Sequence, residues 1–204
     1  RWLELAEGLD EALYKQVQEL GIKAVYGNRR YTRAYPAGEL AAHVLGFVNK
    51  EGTSVMGIER FMDFYLRGQQ GWREGERDGR RRELVQFRTR EVAPTPGLNV
   101  QLTLDSYVQH VVEREIDRIV SVYDPKGVSV IVSEPASGAI LGLANWPRFD
   151  PNRFWDFPVE NHRNRAVADV YEPGSVFKVV PAAAALDEDI VSRGDIFDCS
   201  VPVV

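Results

Sequence analysis

The sequence predicts an α+β fold in two parts, and three observations carry that prediction. Apolar residues recur at helical spacing in two stretches, residues 2–20 and the run that begins at Ser106. Residues 127–146, GVSVIVSEPASGAILGLANW, form two β-branched or aliphatic runs around a Pro-Ala-Ser-Gly turn, the pattern of an antiparallel hairpin. Between the two helical stretches lies APTPG, residues 93–97, where two prolines and a glycine favour a stiff, extended connection. The boundary is placed there, giving parts 1–97 and 98–204.

In the first part, Trp2, Ala6, Leu9, Leu13, Val17 and Leu20 would share one face of a helix that Gly21 ends. IKAVY, residues 22–26, reads as a short strand, and a short helix is expected around Leu40–Leu45 after a Pro-Ala-Gly turn. Ile58, Phe61, Met62, Tyr65 and Leu66 would form the core face of a helix stopped by Gly68. Residues 73–91 mix seven arginines with five acidic residues and read as a solvated hairpin or loop. In the second part, NVQLTLD, residues 99–105, is expected to be a strand. Ser106 and Gln109 offer a capping box for a helix that buries Val108, Val112, Ile116, Ile119 and Tyr123. Residues 175–188, SVFKVVPAAAALDE, are helical by composition, with a kink or a shifted start expected at Pro181.

Composition narrows the function. Hydrophobic residues make up 44% and charged residues 27%, as in soluble globular proteins. A net charge of −5 argues against a general nucleic-acid binder, which needs a basic face. Cys199 is the one cysteine, so no disulfide forms within the chain, and it is expected to be a structural thiol. His43, His110 and His162 are far apart in sequence and suggest structural roles; no metal site and no cofactor is predicted. No apolar run reaches the ~18–20 residues that span a bilayer. The chain begins at Arg1, and an N-terminal membrane anchor ahead of it is compatible with that start.

The stretch VYEPGSVFKVV, residues 170–180, places Ser175 and Lys178 three residues apart after a Pro-Gly pair. A serine three residues before a lysine is common by composition alone, and an ordinary polar helix face is one reading. The other is chemical. Residues three apart share a helix face, which brings an amine within reach of the serine oxygen. A serine hydroxyl becomes a nucleophile when a base takes its proton. A lysine serves as that base when burial or a neighbouring cation lowers its pKa. Val176, Phe177, Val179 and Val180 are suited to that burial. Gly174 permits a tight entry that sets Ser175 near a helix N-terminus, where free N–H groups stabilise developing negative charge.

YEPGSVFK resembles the Ser-x-x-Lys motif of the penicillin-binding proteins, serine D,D-transpeptidases of cell-wall synthesis. AYPAGELAAHVLGFV, GIERFMDFYLRGQQG, PGLNVQLTLDSYVQ, SGAILGLANWPRFDPN and NRAVADVYEPGSVFK resemble segments of the class B enzymes, in the same order. RFDPN and NRAV lean to the division-type branch. The resemblance implies a pedestal, or dimerisation-type, domain over residues 1–97. It implies the first part of a transpeptidase domain, an antiparallel sheet with helices, over 98–204. It further implies Ser175 as nucleophile, Lys178 as general base, peptidoglycan stem peptides ending in D-Ala-D-Ala as substrate, and β-lactams as acylating mimics. Membrane-embedded glycosyltransferase or divisome proteins would be the pedestal's partners. The location implied is the extracytoplasmic face of a bacterial cell envelope.

The family's Ser-x-Asn and Lys-Thr/Ser-Gly motifs do not follow Ser175. A lone hairpin with helices would leave open sheet edges. The chain is therefore expected to be a fragment that does not cross-link stem peptides by itself. Two other readings stand beside the enzyme: a non-catalytic pedestal module that docks cell-wall or division partners, and a serine β-lactamase or β-lactam sensor, which shares the Ser-x-x-Lys helix. The long first part and the GIERFMDFYLRG segment weigh against a β-lactamase.

Overall fold

The computed structural model describes residues 3–28, 30–76, 78–79 and 90–197. Trp2, Cys199 and the middle of the charged 73–91 segment lie outside the described residues. Helix α1, Glu11–Glu19, starts nine residues later than expected. Asp10 caps it by accepting from the Leu13 amide at 2.7 Å, and Gly8, with φ +74, bends the chain just before that cap. Gly21, with φ +64, ends it as expected. No residue of α1 is buried, and Leu13 stays half exposed. Residues 22–26 form a turn and not the expected strand. The Val25 amide donates to the Ile22 carbonyl, and the Gly27 amide then donates to the Tyr14 hydroxyl of α1 at 2.9 Å. With no partner strand beside it among the described residues, β-propensity has nothing to stabilise.

Helix α2 is Ala42–Leu45, close to the expected place. The following stripe is not one helix but two, α3 (Gly57–Phe61) and α4 (Asp63–Leu66), broken at Met62. The break changes which side chains face inward. Ile58, Met62 and Leu66 are half-buried, while Phe61 and Tyr65 face out, so the expected core face is only partly formed. Gly46 and Gly57 let the α2 and α3 termini cross at backbone contact. Both have positive φ, and a Cβ on Gly46 would lie 1.9 Å from the Met56 carbonyl oxygen. Strand β1 (Trp72–Glu74) pairs antiparallel with β2 (Arg90–Val92), Trp72 opposite Val92, so the charged segment closes as a hairpin at its ends. Residues 93–97 are extended as expected but do not run free. Thr95 and Gln69 exchange two backbone hydrogen bonds, and Leu98 donates to the Tyr65 carbonyl at 2.7 Å.

Residues 99–105 are not a strand. They meet the neighbouring hairpin through single bonds: the Thr103 hydroxyl donates to the Ile140 carbonyl at 2.7 Å, and the Asp105 amide to Leu141 at 2.9 Å. Helix α5, Ser106–Tyr123, follows. The expected capping box does not form. Asp105 is the cap, accepting from the Tyr107 and Val108 amides, and Gln109 turns into the core. The predicted hairpin is present as β3 (Val128–Ser133) and β4 (Ile140–Trp146), in antiparallel register with Val130 opposite Ala144. Val112 and Ile116 of α5 bury against Ala144 of this hairpin. Full burial of such aliphatic side chains stabilises by about 1.5–3 kcal/mol each. Ile119 and Tyr123 face outward, against expectation.

The second core cluster joins the two parts of the chain. Tyr35, Ala42 and Phe47 of the first part enclose Phe149 of the second, which is fully buried. Phe154, on the 3₁₀ turn Pro151–Asp156, stacks on Phe47 at 4.2 Å. Polar side chains complete this joint. The Asn152 amide bonds both backbone groups of Tyr35, each at 2.9 Å. Glu113 of α5 accepts from the Ala41 amide at 2.8 Å and from Gln109 at 2.7 Å, and pairs with Arg148 at 3.3 Å. Arg148 also reaches Asp117 and Glu39. A buried carboxylate is tolerable only with partners of this kind.

Candidate active site

The segment that carries Ser175 is anchored upstream of it. Asn145 lies in β4, pointing away from the aliphatic core, and is almost wholly buried. Its Oδ1 accepts from the Ser129 hydroxyl at 2.7 Å and from the Ala166 amide at 3.0 Å, while its Nδ2 donates to Asn164 Oδ1 at 2.9 Å. Those bonds fix the start of α6, Arg165–Ala168. Just beyond, Asp169 pairs with Arg163 at 2.8 Å and with Arg165 at 3.2 Å, and Arg163 also donates to the Ala168 carbonyl. The 3₁₀ turn Val159–His162 precedes this clamp, and its Asn161 carbonyl lies 2.8 Å from the His43 ring nitrogen of α2. Burial pushes the His43 pKa below its ordinary value, so the imidazole is neutral and donates to that carbonyl. Burial, and then the neighbouring Glu59, push the Tyr35 phenol up, so it too stays neutral.

Past the clamp, residues 167–184 are all exposed. Gly174–Lys178 forms a 3₁₀ turn that continues into α7, Val179–Asp187. Pro181 falls in the first turn of α7, and the 3₁₀ turn ahead of it is the shifted helix start expected from that proline. Gly174 enters the turn with φ +54, a left-handed conformation that most residues avoid. In a 3₁₀ turn, residues three apart eclipse, so Ser175 and Lys178 stand on one side of it. Among the described residues no hydrogen bond joins their side chains. The expected dry surroundings of Lys178 are not formed by its neighbours, since Val176, Phe177, Val179 and Val180 are all more than half exposed.

Sequence reasoning passed over Asn145, Asn164 and Glu113, and assigned Gln109 to an exposed cap instead of the core. The signal available for Asn145 was a polar amide inside the aliphatic run ILGLANW. A buried amide needs partners, and partners make it a joint. Ser129, Ile131, Arg165, Asp169 and Tyr171 line an open depression of about 520 Å³ beside this joint.

A pedestal packed through Phe149 on a helix-covered hairpin, with a Ser-x-x-Lys turn leading out of it, is the arrangement expected of the penicillin-binding type. Comparison with known proteins agrees. Residues 3–102 match the penicillin-binding protein dimerisation domain, and residues 128–201 match the penicillin-binding protein transpeptidase domain. Stage V sporulation protein D of Bacillus subtilis is 35% identical over 87% of this chain and 28% of its own length. Peptidoglycan D,D-transpeptidase FtsI of Escherichia coli is 29% identical over 97% of this chain and 33% of its own. The crystal structure of a peptidoglycan synthetase from Bifidobacterium adolescentis superposes with a TM-score of 0.69 at 25% identity, over 95% of this chain and 35% of that one. Penicillin binding protein 3 of Mycobacterium tuberculosis, complexed with aztreonam, superposes with a TM-score of 0.60 at 30% identity, over 81% of this chain and 33% of that one. The chain belongs to the class B penicillin-binding proteins, and the match to FtsI supports the division-type branch. It spans about a third of the length of the relatives it matches.

Proposed function

We propose that the protein is a serine D,D-transpeptidase that cross-links peptidoglycan, with Ser175 as nucleophile and Lys178 as the base that accepts its proton. The observation that carries this is one 3₁₀ turn, Gly174–Lys178, presenting a hydroxyl and an amine on one side, in a chain of the penicillin-binding family. Ser175 Oγ attacks the carbonyl of the penultimate D-Ala of a stem peptide, and the hydroxyl proton passes to the Lys178 amine. The peptide C–N bond breaks, and the terminal D-Ala departs as its amine, taking that proton. The resulting ester is attacked by an amine of a second stem peptide. The new amide forms, and the proton released by that amine restores the Ser175 hydroxyl. A β-lactam ring opened by Ser175 would give an ester that persists.

The first part, with a boundary near residue 97, serves as the pedestal. We assign it the docking of membrane-embedded glycosyltransferase or divisome proteins, at the extracytoplasmic face of the cell envelope. The apolar side chains left exposed on and after α1, Leu13 and Leu20 among them, suit such contacts. Labelling of the full-length protein with a fluorescent penicillin tests the enzymatic reading. Label on the wild type and none on Ser175→Ala is the expected result. An unlabelled wild type would leave the chain as a docking module, and rapid release of hydrolysed drug would make it a β-lactamase.

A further inference from the structure

Resting on that functional reading, we propose that Asn164 and Asn145 are positioning residues for Ser175, and that through Asn164 the pedestal sets where the Ser175 turn begins. Residues 167–184 are all exposed, so among the described residues the Ser175 turn takes its place from the clamp that precedes it. That clamp is held from two sides. From the hairpin, Asn145 grips the Ala166 amide and the Asn164 side chain. From the pedestal, His43 grips the same short stretch twice: its ring bonds the Asn161 carbonyl at 2.8 Å, and its own carbonyl takes the Asn164 Nδ2 at 3.5 Å. Among the described residues, Asn164 is thus the side chain that bonds both hairpin and pedestal at this joint. Eleven residues further on stands the Ser175 hydroxyl.

The fold explains why an amide serves here. Asn145 needs an acceptor for Ser129 and Ala166 and a donor toward Asn164 at once, and a carboxamide offers both on separate atoms without burying a charge. Asn164 in turn accepts from one partner and donates to the other. A rotation of the pedestal about the Phe149 joint would displace the His43 carbonyl and ring together, and with them the stretch 161–166. A displacement of ~1 Å at a reacting group costs up to about a hundredfold in rate.

The test measures acylation of the full-length protein by a fluorescent penicillin, separating initial affinity from the rate constant of acylation. Asn164→Ala should slow acylation about 10- to 100-fold with unchanged initial affinity and an unchanged labelled fraction at long times. Asn164→Asp keeps the acceptor for the Asn145 amide but loses the donor to the His43 carbonyl, so it should recover only part of that rate. Asn145→Ala should resemble Asn164→Ala, and the half-buried Asn164 variant carries the test where the buried one fails to fold. A labelled wild type with an Asn164→Ala rate within twofold of it overturns the inference alone. So does a smaller labelled fraction at an unchanged rate, which is loss of fold and not of position. A wild type that takes no label at Ser175 overturns the functional reading and this inference together.

Discussion

Ser175 and Lys178 are separated by two residues, and the backbone between them decides what they can do. A 3₁₀ turn brings position i over position i+3, which would suit the proposed proton transfer between the two. The Lys178 side chain is exposed and makes no hydrogen bond among the described residues, so Lys178→Ala should leave stability within about ±0.5 kcal/mol. The same substitution should abolish acylation by penicillin, as should Lys178→Arg, because a guanidinium keeps its proton. Persistent acylation in either variant removes Lys178 from the role of base. Gly174 makes a separate claim. A Cβ there meets nothing within 4 Å, so the obstacle to a side chain is torsional: φ is +54. Gly174→Val should therefore cost about 1–3 kcal/mol in backbone strain, or shift the turn to escape it, and slow acylation about tenfold or more. Gly174→Asn, which tolerates the left-handed region, should be milder. Equal acylation rates for all three forms would refute the tight entry. The Ser-Lys pair and this glycine were legible in the sequence because their spacing is local. Asn164 and Asn145 were not, because they are 19 residues apart and only the turn from β4 into α6 brings them together.

Elements show the same division. Helix α5 and the β3–β4 hairpin could be read from periodicity, since each has apolar positions that one partner face satisfies. The strand at 99–105 and the strand at 22–26 failed for a common reason. Alternation states that a segment could pair, and says nothing of whether an edge is open to it. The edge of β4 is instead met by a side chain. Gln109 Oε1 accepts from the Leu143 amide at 2.8 Å, and its Nε2 donates to the Leu143 carbonyl at 2.9 Å, so one amide does what a neighbouring residue in a strand would do. Local logic assigned Gln109 to a capping box; the buried bonds prevail because an unpaired buried amide costs more than an exposed cap contributes. Gln109→Leu keeps the volume but strands the Leu143 amide and carbonyl, and takes one donor from Glu113. It should destabilise by about 2–5 kcal/mol, read as a lowered urea midpoint at unchanged slope. A variant as stable as the wild type would show that water or a rearranged backbone replaces those bonds.

The whole molecule is held together where its two parts meet, and that junction carries a neutral imidazole. His43 is buried against Phe149, with its ring bonded to the Asn161 carbonyl; Glu113, His162 and Arg165 are the charged or titratable groups around it. Burial dominates and lowers its pKa from the ordinary 6.5, against the upward pull of the Asn161 carbonyl and of Glu113. The folded state therefore binds fewer protons here than the unfolded state. Stability from this group is fully present above pH 6.5 and is lost as pH falls toward the folded-state pKa. The window from 6.5 down to about 5, above the range where carboxylates protonate, isolates the effect. Thermal stability should fall across that window in the wild type. It should fall much less in His43→Gln, whose amide keeps a donor for Asn161 and has no proton to gain. Equal pH slopes in the two proteins would mean that another group sets the acid sensitivity. Because the His43 carbonyl also receives Asn164, loosening this junction by acid should slow penicillin acylation of the full-length protein before the fold is lost. The rate constant should drop in the same window while the labelled fraction holds. Rate and labelled fraction falling together would instead mark global unfolding, in which the pedestal has no separate hold on Ser175.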